Sequence, residues 1–145
     1  MTQSGGNWIV TLAMFGWIPA VAIAFMVLTP PRAAVIGYIA GWLFLPVAQF
    51  PLAGLPDYTK HLAVPVVILL AILLCDGRRL LAFKPRLVDL PMALYCLVPL
   101  FSSLSNGLGW YDGITSVIDK TIVWGVPYLT GRLYCSSPEG RDRLA

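Results

Sequence analysis

From Trp8 to Leu28 the chain runs for twenty-one residues without a charged side chain. As a helix at 1.5 Å per residue, such a run spans roughly 30 Å, the thickness of a bilayer's hydrocarbon core. Further apolar runs follow, and none alternates in the short segments of a membrane β-barrel. Only 12% of residues are charged, 58% are hydrophobic and mean hydropathy is +0.77. Soluble domains carry about 25% charged residues, and 145 residues could not hide this much apolar surface from water. The expected fold is all-α: a polytopic transmembrane helical bundle of about five spans. These fall at residues 8–28, 33–53, 60–75, 88–105 and 114–134. Met1–Asn7 lacks Lys and Arg, and no small-x-small site follows the first run, so that span reads as retained rather than cleaved.

Proline and glycine punctuate these runs. Thr29-Pro30-Pro31-Arg32 stops the first span and turns the chain, whereas Pro19 predicts a kink within it. Gly37 and Gly41 share one face of the second span, a spacing that lets helices approach closely. Pro46 and Pro51 break its outer end. Asp89-Leu90-Pro91 predicts a helix start, an Asp cap with proline in the first turn. Ser102 to Gly107 is polar and turn-forming, and Trp110 and Tyr111 suit a membrane interface. Ser137-Pro138-Glu139 is another helix start, yet the sequence stops at Ala145. The expectation is a single transmembrane region over 1–145, the N-terminal part of a larger bundle truncated at its C-terminus.

Charge assigns the sides. Arg78, Arg79, Lys84 and Arg86 face Asp76 and Asp89 in the segment 76–89, and loops rich in Lys and Arg resist translocation. With that segment inside and five spans, the N-terminus is outside and eight of the ten basic residues lie inside. The basic segment therefore reads as an orientation anchor and not a nucleic-acid surface. The expected partner is the lipid bilayer, in a multi-pass arrangement.

Chemistry is sparse. No nucleophile–base triad, phosphate loop, dinucleotide fingerprint or metal-ligand spacing occurs, so neither cofactor nor metal is expected. Cys75, Cys96 and Cys135 lie far apart and read as packing residues or ordinary thiols. The polar residues expected on the outer face are Asp57, Lys60, His61, Tyr111 and Asp112, with Asp119 and Lys120 just below them in the last span. Asp57, Lys60, His61, Asp112, Asp119 and Lys120 form the candidate substrate-binding set, a mixed patch that could grip a polar or anionic headgroup. Solvated loops have the same composition. Asp119 and Lys120 are adjacent and do not face each other squarely on a helix. They either snorkel to the outer interface or face a polar cavity. Ser102, Ser103, Ser105 and Asn106 either bond sugar hydroxyls or close the end of the fourth span.

Four segments carry a resemblance: Leu55-Pro56-Asp57-Tyr58-Thr59-Lys60, Pro85-Arg86-Leu87-Val88-Asp89-Leu90-Pro91, Ser103 to Gly109, and Val126-Pro127-Tyr128-Leu129-Thr130-Gly131-Arg132. In order and spacing they resemble the N-terminal part of the O-antigen ligase/polymerase-like family of bacterial polytopic membrane proteins. The resemblance implies an inner-membrane protein of ten or more spans acting on undecaprenyl-diphosphate-linked glycans in cell-envelope polysaccharide assembly. It implies a glycosyltransferase whose catalytic residues sit in a large periplasmic loop beyond this sequence, so none is assigned here and this chain alone is expected to be inactive. Arg132 matches a Tyr-x-x-x-Arg pattern, but the charge map puts it at the cytoplasmic end, as an anchor. Two other readings stand beside this one. The first is a transporter or flippase fragment with Asp119 and Lys120 lining a polar path. The second is a small membrane protein without enzymatic activity.

Overall fold

In the computed structural model, which describes residues 8–50 and 58–135, the chain is helical apart from one short strand pair. Helix α1 covers Trp8–Val27, and α2 covers Pro30–Phe44 with two prolines in its first turn. Proline fits there because the first backbone N–H groups of a helix have no intrahelical acceptor. Strand β1 (Gln49–Phe50) pairs antiparallel with β2 (Tyr58–Thr59). Helix α3 spans Lys60–Leu81 and bends at Asp76, whose φ of −138° and ψ of 32° are not helical. A 3-10 turn at Leu87–Asp89 leads into α4 (Leu90–Ser105). Helix α5 (Trp110–Lys120), a π-helical segment (Thr121–Gly125) and α6 (Val126–Cys135) then follow without a break.

The all-α expectation holds for the described residues, but several boundaries differ. The second span was expected over 33–53, whereas α2 ends at Phe44. Leu45 precedes Pro46, and the proline ring drives the residue before it to extended backbone, here φ −72° and ψ 132°. Segment 76–89 was read wholly as a loop, yet α3 continues through Leu81, so the turn shrinks to the few residues before Leu87. The last span, expected from 114, starts at Trp110 and takes Tyr111 and Asp112 into its first turn. The expected Asp89 cap on α4 is not made, because that carboxylate turns elsewhere. Among the described residues two helices, Trp8–Val27 and Leu87–Ser105, are long and apolar enough to cross a membrane, where five spans were expected. Pro51, Asp57 and the Ser137-Pro138-Glu139 signal lie outside the described residues.

Helix α3 holds the centre. It packs against α1, α2 and α6, with Val64, Ile68 and Ile72 almost fully buried. Gly37 and Gly41 of α2 face it: a Cβ added at Gly41 would lie 2.6 Å from Val64 Cγ2 and 2.9 Å from Trp17 Cζ2. The glycine pair thus marks a real helix crossing, closed by a Val–Ile pair at the matching i, i+4 spacing. Helices α4 and α5 form a second, tight hairpin. Its turn needs the positive φ of Gly107 (72°) and Gly109 (93°). Ser103 Oγ donates to Gly109 O at 3.0 Å, and Asn106 Nδ2 donates to Ser102 O at 2.8 Å. These polar residues therefore close the helix end, as the simpler reading had it. Just before α3 begins, Tyr58 stacks on Phe15 and its hydroxyl donates to Met14 O at 3.3 Å. Burial pushes that hydroxyl's pKa above its ordinary value.

Candidate functional site

A dense polar cluster lies where α3 ends, α4 begins and α6 arrives. The 3-10 turn folds Asp89 back, so that its Oδ2 accepts the Arg86 backbone N–H at 2.7 Å. Its Oδ1 accepts the Tyr128 hydroxyl at 2.7 Å. Arg132 completes the set, with Nε 2.7 Å from Oδ1 and Nη2 3.2 Å from Oδ2. The two charged side chains are only 13% and 19% exposed. A forked guanidinium–carboxylate pair at this burial is geometrically specific as well as strong. Tyr128 and Arg132 sit four residues apart on α6, one turn of one helix face. Sequence reasoning identified all three residues separately, as a cap, a motif tyrosine and an anchor. It did not join Asp89 to the other two, because nothing local connects positions about forty residues apart.

A second polar contact sits beside it. The Tyr134 hydroxyl lies 3.4 Å from Asp76 Oδ2, Arg79 lies 3.8 Å from the same oxygen, and the Arg79 guanidinium is 5.6 Å from the Tyr134 ring centre. Between these two contacts opens a cavity of about 330 Å³ lined by Arg79, Phe83, Lys84, Arg86 and Arg132 among others. Phe83 and Asp89 also line a larger groove of about 440 Å³ between α4 and the helix opposite, walled by Met92, Leu97, Val117 and Leu129. The two spaces differ sharply in character: the first is walled by four cations, the second almost wholly by apolar side chains.

The six residues expected to bind substrate are only partly gathered. Lys60 and His61 open α3 and both lie against Trp42 of α2: the His61 ring is 5.0 Å from the indole centre and Lys60 Nζ 5.8 Å. Asp57 falls outside the described residues. Asp112 is exposed in the first turn of α5. Asp119 and Lys120 are half-buried at its end, about 10 Å further along the axis than Asp112. Among the described residues, no hydrogen bond or ion pair joins Asp112, Asp119 or Lys120 to Lys60, His61 or one another. Among the same residues no group of three His, Cys, Asp or Glu side chains could hold a metal ion. Cys96 is buried at 3.5 Å from the position a Cβ would take on Gly125, a packing role, while Cys75 and Cys135 are exposed thiols.

Set beside known proteins, the chain matches no protein-family model, no curated protein and no solved structure.

Proposed function

We propose that this chain is the N-terminal membrane portion of an O-antigen ligase/polymerase-like protein, held in a bacterial inner membrane with five crossings. It would act on undecaprenyl-diphosphate-linked glycans in envelope polysaccharide assembly. The observation that carries the reading is the Asp89 cluster. Two of the segments that resemble the family, Pro85–Pro91 and Val126–Arg132, meet there through Asp89, Tyr128 and Arg132. In this reading the shared residues are a structural staple that fixes the last helix, and the chemistry belongs to a periplasmic loop. The multi-pass reading is supported by the apolar exterior. Met26, Leu74 and Leu87 are 82%, 84% and 88% exposed, and such a surface on a monomer calls for an apolar environment. Gathering Arg79, Lys84, Arg86 and Arg132 around one cavity agrees with a cytoplasmic end under the positive-inside rule.

Reporter fusions after Arg86 and after Asp112 should report opposite sides of the membrane, Arg86 inside. The same side for both would sink the five-crossing arrangement. For the activity, deletion of the gene in its own bacterium should abolish long-chain surface polysaccharide on gels and leave lipid-linked glycan to accumulate. An unchanged polysaccharide ladder would overturn the ligase reading. A transporter reading is favoured by one feature only, the half-buried Asp119 and Lys120 beside the π segment. It requires that Asp119→Asn abolish solute or lipid export in cells that still make the glycan.

A further inference from the structure

We propose that the two spaces at the basic end form one binding site for an anionic phospholipid of the inner leaflet. Its phosphate would sit among Arg79, Lys84 and Arg86, and one acyl chain would lie in the apolar groove behind Phe83. Four cations line the smaller cavity. Asp76 faces Arg79 and Asp89 faces Arg132, which among the described residues leaves two of the four positive charges without an acid. Lys84 and Arg86 are exposed and supply them. Guanidinium and ammonium donors converging on a 330 Å³ space suit a tetrahedral phosphate. Phe83 lines both spaces, so the 440 Å³ apolar groove lies directly beside the cationic cavity. Leu87 and Val88, 88% and 70% exposed, add apolar surface in the turn that leads to Asp89, which itself lines the groove. A free phosphate would leave the groove unused. A zwitterionic lipid would bring its own cation to a site that already holds an excess. Basic pockets between helices at the cytoplasmic face are suited to anionic headgroups on these grounds.

The inference rests on the membrane reading but not on the glycan activity, and its test needs no substrate. Detergent-solubilised protein is titrated with phosphatidylglycerol, phosphatidylcholine, a polyprenyl phosphate and inorganic phosphate, and thermal stability is followed. Phosphatidylglycerol should bind roughly tenfold or more tightly than phosphatidylcholine, and K84Q/R86Q should erase that preference. K84Q/R86Q changes two exposed side chains, and the preference of the natural sequence decides the matter if the variant does not fold. Equal response to phosphatidylcholine, or full preference retained in K84Q/R86Q, would overturn the site. A response to inorganic phosphate that matches phosphatidylglycerol would make it a soluble-anion site instead, and a stronger response to the polyprenyl phosphate would make it a carrier-lipid site. Either result rejects the phospholipid assignment. The polysaccharide phenotype of the gene deletion is independent of all four arms.

Discussion

Asp89→Ala is expected to lower the apparent melting temperature of the detergent-solubilised protein by roughly 5 °C, the largest effect of any single polar substitution here. The carboxylate accepts from the Arg86 backbone, Tyr128 and Arg132 at 2.7 Å each. Its removal leaves a mostly buried guanidinium without its counter-charge and a tyrosine hydroxyl without its acceptor. Arg132→Ala should act in the same direction but less strongly, because Asp89 keeps the Arg86 and Tyr128 bonds. The double variant should be little worse than Asp89→Ala, since residues of one network are not additive. Tyr128→Phe should cost least, as it deletes one hydroxyl and leaves the ion pair whole. If Asp89→Ala melted within about 2 °C of the natural protein, the cluster would not be what holds α6 to the foot of α4.

The second large effect is expected at Gly41. A methyl group there would lie 2.6 Å from Val64 and 2.9 Å from Trp17, a stiff β-branched side chain and a rigid indole, and neither can turn aside easily. Gly41→Ala should cost about 1–3 kcal/mol by overpacking, and Gly41→Leu more than that range. Gly131→Ala supplies the control, because its added Cβ would meet nothing within 4 Å. The decisive measurement is the pair Gly41→Ala with Val64→Ala. Truncating Val64 makes room for the new methyl, so the double variant should recover part of the loss. Strict additivity between the two would show that the helices do not depend on that contact.

Features written in local chemistry were legible before the fold was seen. Pro30 and Pro31 start α2, Pro91 lies in the first turn of α4, and the Ser102–Gly107 turn closes α4 by bonds to its own backbone. Gly37 and Gly41 announced a crossing, though not its partner, because any helix with a matching hollow would serve. The rest depended on tertiary pairing. Asp89 looked like a cap because Asp-x-Pro is a capping pattern, and only the distant arrival of Tyr128 and Arg132 redirects its carboxylate. The strand pair Gln49–Phe50 and Tyr58–Thr59 was invisible, since two residues show no period and each strand needs the other. The bend at Asp76 was hidden by basic residues that read equally well as loop or as helix end.

The π segment at Thr121–Gly125 has an arithmetic effect on everything after it. Gly113 faces α4, where its added Cβ would lie 2.8 Å from Leu100. In an uninterrupted α-helix, where each residue turns about 100°, Gly125 would point about 120° away from that face and Arg132 about 100° away. One residue absorbed by the wider turn brings Gly125 back to within about 20° of the Gly113 direction and Arg132 almost onto it. Gly125 then meets Cys96, and Arg132 meets Asp89. The segment works as a phase corrector: it lets one helix present the same partner with small residues along its upper half and with a charge at its foot. Deleting a single residue there should leave an ordinary α-helix with both faces still in phase, whereas winding the segment into α-helix at its present length would turn Gly125 and Arg132 about 100° aside.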